Sequence, residues 1–184
     1  MTLSVSLPAG RTPGRYAVAL VCLGNICRSP MADVVLSARV AAAGLADRVT
    51  VESCGTGDWH VGGTMDHRAA ATLTSAGYDA TRHRAQQLDD SWAGRFDVLL
   101  AMDASNLDDL RSVLPLDGDG PAGGRAMLFR AFDPVDTGGE VPDPYYGGDH
   151  GFEEVLAMVE RTTEVIVAAL EHELAGATRG SDHP

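Results

Sequence analysis

The 184 residues, 45% of them hydrophobic, suffice for one domain with a full core and are short for two. Acidic residues outnumber basic ones 26 to 14, the formal net charge is -12, and all the basic side chains are arginine, since the chain contains no lysine. Such a surface repels polyanions, which argues against nucleic acid or an anionic membrane as partner and requires any bound anion to be gripped by a local constellation.

Residues 1–15, MTLSVSLPAGRTPGR, lack the apolar stretch of a signal peptide, and their Pro and Gly content reads as a loose tail. No apolar run approaches the roughly 20 residues that span a bilayer. A cytoplasmic location is expected. The odd set Cys22, Cys27 and Cys54 then argues for reduced thiols and against a disulfide framework.

YAVALV, residues 16–21, is an almost unbroken apolar run of strand length, suited to a central parallel strand covered on both faces. After a short loop, Met31, Val34, Val35, Ala38, Ala41 and Ala42 recur at helical spacing, with Pro30 near the start and Gly44 just past the end. VTVES at 49–53 predicts a second strand, 66–76 a helix beginning at Asp66, and FDVLLAM at 96–102 a strong third strand. Asp103 is placed to cap the next helix. DGDGPAGG reads as a flexible stretch, and RAMLFRAF at 125–132 as the last strand. From Phe152 the spacing of Val155, Leu156, Val159, Ile166, Leu170 and Leu174 marks a long amphipathic helix. The expectation is a single three-layer α/β domain over residues 16–174, with a central, mostly parallel four-stranded sheet flanked by helices and flexible tails at 1–15 and 175–184.

Ligands of such sheets sit beyond the carboxyl ends of the strands, and CLGNICR, residues 22–28, lies at one of those ends. A tight turn there, made of Leu23, Gly24, Asn25, Ile26 and Cys27, aims backbone N–H groups at one point beside a helix N-terminus, forming an anion cradle. Gly24 and Asn25 tolerate the positive φ that such a turn needs. The same field favours the thiolate of Cys22, which at the floor of a phosphate-shaped cup is a nucleophile aimed at phosphorus. Arg28 can hold two phosphoryl oxygens with its rigid fork, as lysine could not. Ser29 can donate a hydrogen bond to the Cys22 sulfur and so ease its later departure. Cys followed by Arg six residues on arises about 0.2 times by chance in this composition, so the strand before and the Ser-Pro and helix after carry the weight.

A phosphoryl cup with a nucleophile still needs a proton for the leaving oxygen. Asp143, in EVPDPYYGG, stands between Pro142 and Pro144, whose fixed φ angles hold its carboxyl in place. It is the candidate acid for bond cleavage and base for the water that follows.

VCLGNICRSPMA together with DPYYG resembles the low-molecular-weight protein tyrosine phosphatases, and the likeness runs from about residue 16 to about 170. The resemblance implies Cys22 as nucleophile, Arg28 as phosphate-binding and transition-state residue, Asp143 as general acid and base, and a cysteinyl-phosphate intermediate without metal or cofactor. It further suggests that Asn25, Ser29, Ser53 and His83 support the loop by hydrogen bonds. Trp59 and Tyr145 look like the aromatic walls that sandwich a phenyl ring. The implied partners are tyrosine-phosphorylated proteins, with inorganic phosphate as product, and a monomer is expected.

Cys27 has two readings, a packing residue or a partner that captures oxidised Cys22 as a disulfide. Cys54 reads as a buried small hydrophobe. Related arsenate reductases share the loop but use two further cysteines downstream, where this chain has only Cys54. Related protein-arginine phosphatases tend to carry Thr in place of Ile26, and Ile26 with Tyr145 favours an aromatic substrate. A non-catalytic phosphate-binding module is disfavoured by the presence of nucleophile, arginine and acid together. Phosphorylation of Tyr145 or Tyr146 stays open.

Overall fold

The structure is a computed structural model and describes residues 5–114 and 123–179. Four parallel strands, β1 (Tyr16–Cys22), β2 (Val49–Gly55), β3 (Val98–Ala101) and β4 (Ala126–Leu128), form one sheet in the order β2-β1-β3-β4. The chain leaves β1 for β2 on one side and returns to β3 on the other. The strand order therefore reverses at the carboxyl end of β1, the position where open α/β sheets bind ligands.

Period-two alternation divides β1 between two cores. Val18, Leu20 and Cys22 face the larger one, shared with α1 (Arg28–Ala42), α2 (His67–Ser75) and α5 (His150–Arg179). Ala19 and Val21 face the smaller one, shared with α3 (Trp92–Arg95) and α4 (Ala104–Val113). Leu20 is fully buried, so truncating it to alanine is expected to cost about 2–5 kcal/mol. Among the described residues no helix is long and apolar enough to cross a membrane.

The predicted caps are in place. Asp66 accepts from the Arg68 N–H at 2.8 Å, and Asp103 accepts from the Asn106 N–H at 2.7 Å. Gly44, at φ +71°, ends α1, and the next N–H, that of Leu45, bonds back to the Val40 carbonyl at 3.0 Å.

Three expectations need correction, and one element was not foreseen. The strand expected over 125–132 is only β4, followed by a 3₁₀ turn over Phe129–Phe132. In a strand, residues three apart point to opposite faces. Phe129 and Phe132 are both buried in the larger core, so the backbone coils to bring them together. The helix α3 was not foreseen, because four residues are too few to show a period. Residues 5–15 are not a loose tail. The Gly10 N–H bonds to Glu173 and the Arg11 N–H to Asp97, while the Pro8 carbonyl accepts from the Tyr16 hydroxyl at 2.7 Å. At the other end α5 continues through residue 179, so the first residues of the expected tail are helical. Most of DGDGPAGG lies outside the described residues.

Candidate active site

The loop from Cys22 to Arg28 is shaped by where its carbonyls go. Those of Cys22 and Leu23 accept from the N–H groups of Thr56 and Gly57, that of Ile26 from Asp66, and that of Cys27 from Met31. The Asn25 carbonyl lies 2.8 Å from His83 Nε2, which must carry the proton because a carbonyl only accepts. Since C=O and N–H of one peptide plane point in opposite directions, carbonyls tied outward leave the amides on the inner side. The Asn25 N–H lies 3.3 Å from Cys22 Sγ.

Asn25 is the hub of this loop. It adopts φ +54°, the only positive φ outside glycine among the described residues, its Oδ1 accepts from the Gln86 N–H, and its Nδ2 donates to Ser29 Oγ at 2.8 Å. With one Ser29 lone pair so occupied, its hydroxyl hydrogen can go to Cys22 Sγ at 3.0 Å or the Cys54 carbonyl at 3.4 Å. The second is too long to be a strong O–H···O bond, so the sulfur is the preferred acceptor. Gly55, where β2 ends, permits the packing. A Cβ there would stand 2.6 Å from the Leu23 carbonyl oxygen and 3.1 Å from the Asn25 nitrogen.

Arg28 opens α1 almost fully buried, and three groups fix its guanidinium. Nη1 donates to Asp103 Oδ2 at 2.5 Å and to the Val141 carbonyl at 3.1 Å, and Nη2 lies 3.6 Å from Asp143 Oδ2. Burial works against its charge, yet the Cys22 sulfur and the Asp103 and Asp143 carboxylates outweigh this and hold its pKa above the usual arginine value. A cation with this surplus of negative neighbours keeps its proton.

Above the cup opens a cleft of about 400 Å³ lined by the loop, Trp59, His60, Asp143, Tyr145 and Tyr146. Trp59 is 70% exposed, and its ring rests on Gly57, where a Cβ would come within 1.9 Å of it. Across the cleft, Arg68 donates to the Tyr145 carbonyl at 3.0 Å and stands 5.6 Å from the Tyr145 ring centroid. This arrangement can bind a phosphoryl group at the floor and an aromatic ring between the walls, with a carboxyl at the junction.

The structure brings Cys22, Arg28 and Asp143 into one cleft together with Trp59 and Tyr145. Asn25, Ser29 and His83 are linked around the loop. Ser53 departs from expectation. It is buried on β2, but its hydroxyl engages the Asp33 carboxylate of α1, and its carbonyl accepts from Gln86 Nε2. All three cysteines are free, and burial foremost pushes the Cys27 thiol up to about 12, with Asp66, Cys22 and Asp143 adding to the effect. Burial likewise raises Cys54, which packs in the smaller core.

Sequence reading missed Asp103 in the site, having seen it only as a helix cap. Its one carboxylate caps α4 with Oδ1 and clamps Arg28 with Oδ2. The available signal was an acidic residue just beyond the strand next to β1, at the end where ligands bind. His60 and Gly55 were also missed. His60 gives no pattern of its own, whereas a glycine closing a strand signals close backbone approach.

The family model described as low molecular weight phosphotyrosine protein phosphatase matches residues 17–176. The low molecular weight protein-tyrosine-phosphatase of Streptomyces coelicolor is 45% identical over 163 residues, covering 88% of this chain and 97% of its own length. The low molecular weight phosphotyrosine protein phosphatase of Schizosaccharomyces pombe is 46% identical over 138 residues, 73% and 84% of the two chains. Among solved structures, YfkJ from Bacillus subtilis superposes with a TM-score of 0.79 at 31% identity, covering 89% of this chain and 99% of that one. A protein tyrosine phosphatase from Entamoeba histolytica gives the same score and identity over 85% and 97%. With the family model spanning nearly the whole described chain and relatives this similar over most of their length, the chain belongs to the low molecular weight phosphotyrosine protein phosphatase family.

Proposed function

We propose that this protein hydrolyses phosphotyrosine in proteins, and small aryl phosphates, through a phosphorylated Cys22. The observation that carries the reading is the meeting of three groups of complementary chemistry in one cleft: the Cys22 sulfur with a backbone amide and the Ser29 hydroxyl on it, Arg28 beside it, and Asp143 3.6 Å from Arg28. Membership of the family, and relatives named as tyrosine phosphatases, support it.

In the first step the Cys22 thiolate attacks phosphorus, the S–P bond forms, and the P–O bond to the phenol breaks. Asp143 gives its proton to the departing phenolate oxygen, whose conjugate acid has a pKa near 10. In the second step water attacks phosphorus and gives a proton to the Asp143 carboxylate, and the S–P bond breaks. Cys22 leaves as thiolate, eased by the Ser29 hydroxyl. Arg28 and the loop amides hold the equatorial oxygens throughout and bind best when charge spreads in the transition state. Asp103 keeps Arg28 in place. Trp59 and Tyr145 flank the phenyl ring, which favours an aryl ester over phosphoserine.

This reading calls for no metal or cofactor and for a single chain, and we place the enzyme in the cytoplasm. The deciding experiment compares release of phosphate from phosphotyrosine, phosphoserine and phosphoarginine peptides with chelator present. Turnover of phosphotyrosine alone, undiminished by chelator, is expected. Preference for phosphoarginine would replace the substrate assignment, and no turnover of any peptide would reduce the site to a binding module.

A further inference from the structure

Asp143 is 38% exposed and lies on a loop, so something must hold its carboxyl over the cup. The neighbouring Pro142 and Pro144 stiffen the chain but do not attach it to anything. The carboxyl itself meets the Tyr145 N–H at 3.1 Å and Arg28 Nη2 at 3.6 Å, and firmer attachment of the backbone begins two and three residues earlier. The Val141 N–H bonds to the Met102 carbonyl at 2.8 Å, and the Val141 carbonyl accepts from Arg28 Nη1 at 3.1 Å. The Glu140 carbonyl accepts from Arg130 Nη1 at 2.7 Å, and Arg130 is itself locked to Asp133, which Arg161 of α5 grips with two bonds of 2.8 Å.

The Glu140 side chain makes a contact of a different kind. Its Oε1 accepts from the Ala104 N–H at 2.8 Å. Ala104 is the first residue of α4, so this amide is one of the donors that no carbonyl of the helix can satisfy, and the helix dipole favours a carboxylate there. The residue before it is Asp103, which clamps Arg28. Met102, Asp103 and Ala104 thus hold Val141, Arg28 and Glu140 respectively.

We infer that Glu140 is a positioning residue for the general acid, a latch that ties the Asp143 loop to the helix terminus from which Arg28 is held. The inference rests on the proposed role of Asp143. The Glu140 carboxylate touches neither cleft nor substrate and acts only through the loop. Fastened, it keeps the acid in register with the arginine; released, it leaves the segment before Asp143 with the Val141 and Arg130 bonds and the segment after it with the Arg68 bonds to the Tyr145 and Gly147 carbonyls, enough for folding but with the carboxyl less closely fixed against Arg28.

The test measures kcat/KM for a phosphotyrosine peptide, which needs the proton, and for p-nitrophenyl phosphate, whose leaving group needs it far less. Asp143→Asn is measured first, and it should slow the peptide far more than the nitrophenyl ester. Equal slowing of both would remove Asp143 from the acid role and the latch with it, whereas no turnover by the unaltered protein would overturn the function itself. Given a selective Asp143, Glu140→Ala should lower the peptide value by about 5- to 20-fold and the nitrophenyl value by less than about twofold. Glu140→Gln, which keeps an acceptor but loses the charge, should fall between. Adding Glu140→Ala to Asp143→Asn should cost nothing more, because a latch has no effect once the acid is gone. A loss that is equal for both substrates, or that persists in the double variant, would overturn the latch while leaving the acid assignment intact. So would peptide turnover unchanged by Glu140→Ala.

Discussion

From Cys22 to Ser29 the reactive and supporting residues Cys22, Asn25, Cys27, Arg28 and Ser29 are buried, with Leu23, Gly24 and Ile26 open to the cleft, and the polar groups are answered from several directions, by Gln86 and His83 on one side and by Thr56 and Gly57 on another. From Asp143 to Tyr146 the chain is largely exposed, up to 91% at Tyr146, and its links are the 3.6 Å contact of Asp143 with Arg28, turn bonds from the Tyr145 N–H to Asp143 and from the Gly147 N–H to the Pro144 carbonyl, and the Arg68 bond to the Tyr145 carbonyl. Floor and rim of one cleft are thus built to different standards. Charge develops at the floor, and donors fixed in advance do not have to reorganise when it does. The rim has to admit a peptide-borne ring and then bring up an acid, which needs a segment of low local stability.

Removing the floor's reactive atom breaks the comparison most severely. Cys22→Ser should lower turnover of an aryl phosphate by on the order of 10⁴-fold or more, with binding of inorganic phosphate by the cup largely intact as read by calorimetry. Loss of both together would mean that the sulfur organises the floor as well as reacting.

Asp103→Asn sharpens it, because asparagine caps a helix about as well as aspartate and the substitution therefore isolates the Arg28 contact. With the guanidinium freed from its 2.5 Å partner, kcat/KM should drop about 10- to 100-fold for phosphotyrosine and nitrophenyl ester alike. That lack of selectivity separates a floor residue from one that acts through the rim, as Glu140 does. A drop confined to phosphotyrosine would place Asp103 with the acid.

The two regions also differ in how far they can be read from sequence. Cys22, Gly24, Asn25, Arg28 and Ser29 fall within eight residues, so strand end, turn glycine, Arg and Ser-Pro stand side by side in the chain. The supports come from far away. Gly55 and Asp103 reach the loop because parallel pairing aligns Cys22 with Gly55 and sets β3 alongside β1, and His83 because the segment that carries it is bridged to Gly55 at Gln87. Periodicity predicts the strands but says nothing of which neighbour each one takes. The Ser53 expectation shows the limit from the other side. A correct strand assignment still left open whether the hydroxyl joined the network around the loop or turned to Asp33. Phe129 and Phe132 show it for secondary structure, since their shared burial, not local propensity, ends β4.

At the rim a smaller effect is expected from Trp59→Ala. The indole is held by little beyond Gly57, and aromatic pairs contribute about 0.5–1.5 kcal/mol beyond their buried area. KM for a phosphotyrosine peptide should rise about 3- to 10-fold with kcat little changed, and the inhibition constant of inorganic phosphate, which has no ring, should not move. An equal rise for both would show that Trp59 shapes the cup.

The smallest effect probes whether the floor is optimised behind as well as in front. Asp33, on α1 but outside the lining of the cleft, has its pKa raised to about 6, chiefly by burial; hydrogen bonds from Ser53 and Ser37 pull it down, and Glu52 pushes it up. A carboxyl raised in the folded state binds its proton more tightly there than in the unfolded chain, where its value is 3.8. Stability therefore falls as pH rises from about 4 to about 6 and stays lower above that. This is the reverse of Asp133, whose bonds from Arg161, the Val135 N–H and Arg130 overcome burial, depress its pKa and add stability that is lost as pH falls. Asp33 is only half-buried, so water screens part of the penalty. Asp33→Asn should raise Tm by about 2–4 °C at pH 7.5 and leave it unchanged at pH 4. A gain of the same size at both values would trace to packing rather than to charge, and a loss at pH 7.5 would mean that the ionised Asp33 supports Ser53, and through β2 the Gly55 contact on which the loop rests.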